Sequence, residues 1–394
     1  MRNRITILLL ATFAFTAELV AQVPIATGRT LAMSNAAWSI FVPTEYVQRG
    51  GVADVIYHFH GDPATFRNNA KYANLNAVVV TINYGGLSGA YQTPFQSNTN
   101  LFASLKSEAL SKLRALPDFA DNLVFDKEAV SSFSAGYGAV REILKSPTYY
   151  DETDMILSSD TIYAGFVNYP SNLGIISSQM TDWRRFAVDA KNGNKTFIVS
   201  HSLVDPVSYA STVLTANDLM NAAGVSAQAV NYNGLGTLNF YRSAQTGKFK
   251  VLGATGADAD SHLEHLRYIG EFLRELPLTK VPRPGDVNFD GGVNFSDLLV
   301  LAQNYGQPTG MTWLTGDFNG DGAVTFSDLL LLSQNYGSTS LQRQPAGNAL
   351  AADFLLARSI VPESGTLVGL MALGGTAMWR RREWFGPFPP SISV

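Results

Sequence analysis

Between residues 53 and 276, short apolar runs alternate with stretches of helical spacing, and that alternation leaves few folds open. Ala53 to His60 and the β-branched run Asn76 to Asn83 read as strands. The first turns at Gly61-Asp62-Pro63 and the second at Tyr84-Gly85-Gly86. Phe102 to Leu116 places Leu105, Ala109, Leu113 and Leu116 at helical intervals and stops before Pro117. Asp154 to Asp160, Lys195 to His201 and Phe249 to Gly253 are further short strands, each followed by helical sequence, the last by Leu263 to Leu276. Strands alternating with helices build a mostly parallel sheet covered on both faces. Such sheets bind ligands beyond the C-terminal ends of their strands. Chemistry is therefore expected at strand exits.

Ser132-Phe133-Ser134-Ala135-Gly136 stands at one such exit, between Glu128 to Ser131 and the helical pattern Tyr137 to Leu144. A strand that turns sharply into a helix on small residues lifts one hydroxyl above the sheet edge. Ser134 is the candidate nucleophile, and the Ala135 N–H at the helix start can face a developing oxyanion. The five histidines, His58, His60, His201, His262 and His265, all lie at or shortly after an expected strand end. Three are expected to be satisfied structural histidines and one a base. His262 follows the last strand and opens a helix.

With the turn His60-Gly61-Asp62 in place as well, residues 50–276 resemble an α/β-hydrolase. Ser132 replaces the first Gly of the usual elbow. The resemblance implies a triad in which Ser134 attacks, His262 is the base and a carboxylate holds His262. It also implies an oxyanion hole formed by the N–H groups of Asp62 and Ala135, with no cofactor. Two carboxylates fit the acid. Asp205 lies in His201-Ser202-Leu203-Val204-Asp205-Pro206, at the family's common acid turn, and Asp160 ends the preceding strand, a place some members use. His58-Phe59-His60-Gly61-Asp62 also resembles part of a metallo-β-lactamase-type metal motif, but Pro63 stands where that motif needs another His. A metallohydrolase using His58, His60 and Asp62 is thus a rival chemistry that leaves Ser134 without a role. A catalytically silent surface protein that uses the hydrolase fold for binding is a second alternative.

After the linker at 281–284 the sequence repeats itself at an offset of 31 residues (317 − 286). Asp286, Asn288, Asp290, Asn294 and Asp297 occupy loop positions 1, 3, 5, 9 and 12, with Gly291 at 6 and Gly292 at 7. Asp317, Asn319, Asp321, Thr325 and Asp328 follow the same plan, with Gly322 at 6 and Ala323 at 7. Oxygen side chains at these positions, with a carbonyl at position 7, form the EF-hand pattern for Ca2+, here with Asp in place of the usual Glu at 12. Each loop leads into a helical pattern, Leu298, Leu301, Ala302 and Tyr305 or Leu329, Leu332 and Tyr336, closed by Gly306 or Gly337. Two such loops, each feeding one helix, resemble a type I dockerin over 285–340. The resemblance implies two calcium sites and a cohesin-like partner on a cell surface or a polysaccharide-degrading assembly. Phe295-Ser296 and Phe326-Ser327 stand where dockerins often carry Ser-Thr for recognition. A module this small needs a brace, and the chain has no cysteine, so the cations take that part.

The ends carry addresses. Arg2 and Arg4 precede the apolar run Ile5 to Ala17, and Leu19-Val20-Ala21 closes a signal peptide over 1–21. Val361-Pro362-Glu363-Ser364, the apolar run Gly365 to Trp379 and then Arg380-Arg381-Arg382 resemble a PEP-CTERM sorting signal over 361–383. Such a tail implies export to the cell surface, outer envelope or matrix, with only transient membrane contact. Residues 341–360 read as a linker and 384–394 as a tail, leaving 22–280 for the hydrolase-like domain. A net charge of −4 argues against a nucleic-acid partner held by phosphate contacts. The expected architecture is α/β, with a small all-α calcium module attached. The expected activity is an exported serine hydrolase of acyl or aryl esters, including polysaccharide-linked ones.

Overall fold

A computed structural model describes residues 22–339 together with Leu350, Asp353, Leu356 and Ala357. The signal peptide and the sorting tail fall outside these residues. The α/β portion opens with β1 (Gly28–Ala32), β2 (Trp38–Pro43) and β3 (Val52–Phe59), then α1 (Pro63–Tyr72), β4 (Ala77–Ile82), α2 (Ser88–Ser97) and α3 (Leu101–Arg114). It continues through β5 (Val124–Phe133), α4 (Tyr137–Ile143), α5 (Pro147–Glu152), β6 (Met155–Ser159), the hairpin β7 (Phe166–Asn168) and β8 (Asn172–Ile175), and α6 (Thr181–Lys191). It closes with β9 (Thr196–His201), α7 (Thr212–Ala223), β10 (Gln228–Asn233), β11 (Asn239–Thr246), β12 (Phe249–Ala254), α8 (Ala259–Arg267) and α9 (Gly270–Leu273).

Ten strands form one sheet in the order β1-β2-β4-β3-β5-β6-β9-β12-β11-β10. From β4 to β12 every neighbour runs parallel, and antiparallel strands extend both edges. The expected mostly parallel sheet flanked by helices is therefore present. Its central strands are apolar on both faces, as a sheet covered twice requires. Along β3, Val55, Tyr57 and Phe59 enter one core with residues of α2, α3, α4, α6 and α7, whereas Ile56 joins Phe66 of α1 and Phe272 of α9 in the other. The edge strands β1 and β10 are largely exposed and rich in Thr, Asn and Gln, so they carry no apolar run that would announce them. The parallel core fixes the polarity of the site: β3, β5, β6, β9 and β12 all exit at one edge.

The second unit has its own core. α10 (Phe295–Asn304) and α11 (Phe326–Asn335) pack with Val287, Val293, Leu298, Leu301, Phe318, Val324 and Leu332. These residues keep the 31-residue offset: Val287 answers Phe318, Val293 answers Val324 and Leu301 answers Leu332. Gly306 and Gly337 follow the two helices in the left-handed region, at φ 84° and 75°.

Candidate active site and calcium loops

Backbone strain concentrates at the exits of the parallel strands. Outside glycine, positive φ occurs among the described residues at His60 (72°) after β3, Ser134 (47°) after β5, Asp160 (43°) after β6 and Val207 (66°) after β9, besides Asn74 and Phe289. Residues held in this sparsely populated region cluster where a structure must aim a side chain. Ser134 opens a short 3-10 turn that runs into α4. Gly136 has to be glycine, because a Cβ there would stand 2.1 Å from the Phe59 carbonyl oxygen. The Thr161 hydroxyl donates to the Ser134 carbonyl at 2.7 Å, tying the turn to the loop after β6.

His262 sits in the first turns of α8, whose start is capped by Asp258 accepting from the Ser261 N–H at 2.9 Å. Its ring stacks on Phe133, the residue before Ser134, with centroids 4.6 Å apart. His262 Nδ1 lies 2.7 Å from Asp160 Oδ2. Asp160 is fully buried and accepts three more hydrogen bonds: Ser202 N–H at 2.9 Å, Ser202 Oγ at 2.7 Å and Thr212 Oγ1 at 2.5 Å. Burial alone would raise its carboxyl. Nearby His265 and the hydrogen bonds from His262 and Thr212 reverse that and hold it well below the usual carboxylate range. An ionised Asp160 fixes the proton on His262 Nδ1 and leaves Nε2 free to accept one.

Of the two candidate acids, the structure brings only Asp160 to His262. Asp205 is exposed on the loop after β9, where its Oδ1 accepts from the Val207 N–H at 2.9 Å and closes a turn. Ser202 and Thr212, which grip Asp160, carry no local sequence signal, since they lie 42 and 52 residues beyond it. Asp62 caps α1 through Thr65, so its side chain is occupied at 2.8 Å, and its backbone follows His60 and Gly61, both at positive φ. Ala135 lies within the 3-10 turn that Ser134 opens.

The remaining histidines divide by environment. His58 is buried, bonds Ser131 Oγ at 3.0 Å and stacks on Phe66; burial, then His60, pushes it down to about 3. His201 accepts from Arg242 Nε at 2.8 Å, and burial followed by Arg242 takes it to about 3. His265 bonds Ser200 Oγ at 2.8 Å and is driven by burial to about 4. His60 points Nδ1 at the Tyr91 hydroxyl, 2.9 Å away, and is lowered by burial and by His262. His58, His60 and Asp62 thus spend their side chains on three different partners. Among the described residues, no three His, Cys, Asp or Glu side chains gather as a ready metal site.

In the repeat loops Asn288 and Asn319 stand beside the carboxylates, donating to Asp290 at 3.0 Å and to Asp321 at 2.9 Å. Asp297 and Asp328 each complete a capping box with Asn294 and Thr325 at the start of α10 and α11. Asp286 supplies the test of fit: its Oδ1 is buried without a partner. Burial, then the charges of Asp297 and Asp290, pushes its carboxyl up to about 6. A carboxylate oxygen left buried and unpaired among like charges suits a hard cation bound by oxygen.

Residues 284–336 match the family model of the dockerin type I domain. Dockerin type I domains bind calcium and cohesin partners, and the proteins that carry them are typically extracellular or bound to the cell surface. No curated protein matches the chain. Among solved structures it is similar to an arylesterase (15% identity, TM-score 0.37, covering 66% of this chain and 88% of that one). It is also similar to a mutant feruloyl esterase module from Clostridium thermocellum complexed with sinapinate (13%, 0.37, 64% and 87%). A truncated carbohydrate esterase from gut microbiota gives 13%, 0.36, 65% and 98%. These likenesses are distant, and the site stands on this chain's own geometry.

Proposed function

We propose that the chain is an exported serine hydrolase of carboxylic esters, joined to its partner through the dockerin domain. The observation that carries this reading is the buried Asp160 held 2.7 Å from His262 Nδ1, with the His262 ring stacked beside the strained Ser134 turn. Ser134 Oγ attacks the acyl carbon while His262 Nε2 takes its proton. The carbonyl oxygen becomes an oxyanion, for which the Ala135 and Asp62 N–H groups serve as donors. As the intermediate collapses, the ester C–O bond breaks and His262 returns its proton to the leaving alcohol. Water, deprotonated by His262, then attacks the acyl carbon; the bond to Ser134 Oγ breaks, His262 returns the proton to Ser134 and the acid leaves. Acyl and aryl esters, polysaccharide-linked ones included, are the substrate class.

In the dockerin domain, Asp286, Asn288, Asp290, the Gly292 carbonyl, Asn294 and Asp297 would hold one Ca2+. Asp317, Asn319, Asp321, the Ala323 carbonyl, Thr325 and Asp328 would hold the second. A cohesin-like module is the partner, and the exposed Phe326 and Ser327 at the start of α11 belong to the docking face. The signal-peptide pattern at 1–21 and the sorting-tail pattern at 361–383 support a location at the cell surface or in the matrix. A serine-directed fluorophosphonate tests the catalytic reading. The intact protein should label covalently, and Ser134→Ala should lose both labelling and hydrolysis of p-nitrophenyl acetate. Labelling that survives the substitution would defeat the assignment.

A further inference from the structure

Gly253 separates two side chains that meet over it. On β12 it pairs with His201 of β9 on one side and with Arg242 of β11 on the other. The Arg242 Nε–H donates to His201 Nε2 at 2.8 Å. A Cβ on residue 253 would stand 2.6 Å from the His201 ring and 2.7 Å from Arg242 Cγ, so a glycine lets the ring and the guanidinium close over the intervening strand. The β11–β12 pairing shifts register between Phe240 and Arg242, the kind of irregularity that re-aims a side chain. Arg242 is half-buried, yet its hydrogen-bond partners, His201 and Asn217, are both neutral. Its Nη2 is buried without a partner among the described residues. A cation withdrawn from water against neutral groups costs stability, so its position calls for a role other than an ion pair.

From this contact a continuous line of hydrogen bonds runs to Asp160. A guanidinium only donates and a carbonyl only accepts, so the two partners of His201 fix its tautomer. Nε2 takes the Arg242 hydrogen, and the Nδ1–H donates to the Ser202 carbonyl at 2.9 Å. Ser202 is fully buried and gives its N–H to Asp160 Oδ1 at 2.9 Å and its Oγ–H to Asp160 Oδ2 at 2.7 Å. Asp160 Oδ2 in turn faces His262 Nδ1 at 2.7 Å. Arg242 also reaches the second support of Asp160. Its Nη1 donates to Asn217 Oδ1 at 2.8 Å on α7, the helix whose first residue, Thr212, donates to Asp160 at 2.5 Å.

We propose that Arg242 is a positioning residue for the triad, holding His201 in the tautomer and orientation that keep Ser202 on Asp160. The proposal rests on the Ser134–His262–Asp160 reading and extends it to a pair of side chains two strands away. Without the Arg242 donor, nothing opposes a proton on His201 Nε2. That tautomer turns a lone pair on Nδ1 toward the Ser202 carbonyl, an acceptor against an acceptor. Ser202 then shifts, and the carboxylate that orients His262 loses two of its donors. Arg242 acts through intermediaries and meets no reacting atom, so its loss belongs in kcat and not in KM.

The test is steady-state kinetics of the full chain on p-nitrophenyl acetate, with kcat taken per site titrated by a fluorophosphonate so that unfolded chains are not counted. Arg242→Met keeps the bulk of the stem and removes the donor. It should lower kcat about tenfold with KM unchanged within about twofold, the effect of one lost hydrogen bond from a charged group. Arg242→Lys offers a donor one atom further along a similar stem and should win back about threefold of that loss. In a His201→Phe background, which already lacks the ring nitrogens, Arg242→Met should cost less than about twofold more. A kcat for Arg242→Met within twofold of the unmodified chain would overturn the proposal. Equal rates for the Met and Lys variants would overturn it as well, and so would losses that multiply in the His201→Phe background. Nitrogen-15 NMR of the unmodified chain needs no variant. His201 should carry its proton on Nδ1, and a proton on Nε2 would overturn the proposal, since Arg242 could not then donate to it. Hydrolysis that survives Ser134→Ala would defeat the catalytic reading and this proposal together. An inactive Ser134→Ala beside a fully active Arg242→Met would defeat this proposal alone.

Discussion

At the scale of single residues, Asp160, the proposed acid, is the informative group. Asp160 could stay ionised in a dry site only if its oxygens were satisfied, and Ser202 and Thr212 do most of that. Thr212→Val keeps the volume and removes the 2.5 Å donor. It should lower kcat about tenfold with KM little changed, and Thr212→Ser should restore most of it. Steady-state kinetics on p-nitrophenyl acetate checks this; an unimpaired Val variant beside an impaired Ser variant would mean Thr212 acts through packing alone. Asp160→Asn should cost on the order of 10³ to 10⁴ in kcat, because the imidazole loses its fixed tautomer, whereas Asp205→Asn should stay within twofold. The sequence left these two carboxylates level because both follow apolar strands. What separates them is the φ of 43° at residue 160 and donors more than 40 residues away, neither of which a local pattern encodes.

At the scale of elements, legibility followed apolar content. The buried strands β3, β4, β6, β9 and β12 announce themselves as apolar runs, as do the helices α3, α10 and α11 by their spacing. The edge strands β1 and β10 and the hairpin β7–β8 do not, since their stability comes from pairing with a neighbour already in place. The elbow was readable from Ser134 and Gly136, though the reason for Gly136 is a carbonyl on another strand. Gly136→Ala should destabilise the α/β portion by about 1–3 kcal/mol, as an overpacked core does, and thermal melting measures it. An unchanged melting temperature would mean that β3 and α4 can separate freely. The dockerin repeat was the most legible part, because its loop-and-helix pattern is local and occurs twice. Chelation should melt the transition assigned to residues 285–337 in calorimetry of the full chain, and calcium should restore it while magnesium does so poorly. Asp290→Ala should weaken both sites, since Leu301 and Leu332 share one core. Hydrolysis of p-nitrophenyl acetate should survive chelation; loss restored by zinc would instead favour His58, His60 and Asp62 as ligands.

At the scale of the whole molecule, the α/β unit buries three histidines, and this sets how it meets acid. His58 and His201 lie near 3 and His265 near 4, against 6.5 for an exposed imidazole. The folded pKa values are depressed, so the neutral rings stabilise the fold fully above 6.5, and that stability drains away as pH falls toward 4. Over this window the unfolded chain binds protons that the folded chain refuses, and each contributes a slope of roughly 1.4 kcal/mol per pH unit. Asp160 works in the same direction lower on the scale: its depressed carboxyl costs stability only as pH falls below about 4, outside the window. Acid lability between pH 6.5 and 4 therefore belongs to the histidines. Urea unfolding in saturating calcium should give midpoints that fall steadily from pH 7 to pH 5. His265→Gln should flatten that fall by about one proton's worth of slope, since Gln offers a polar group without a titration. A midpoint that is constant from pH 7 to pH 5 would mean that the three rings exchange protons with solvent in the folded state, and that the layer beneath α1, α8 and β9 is open to water.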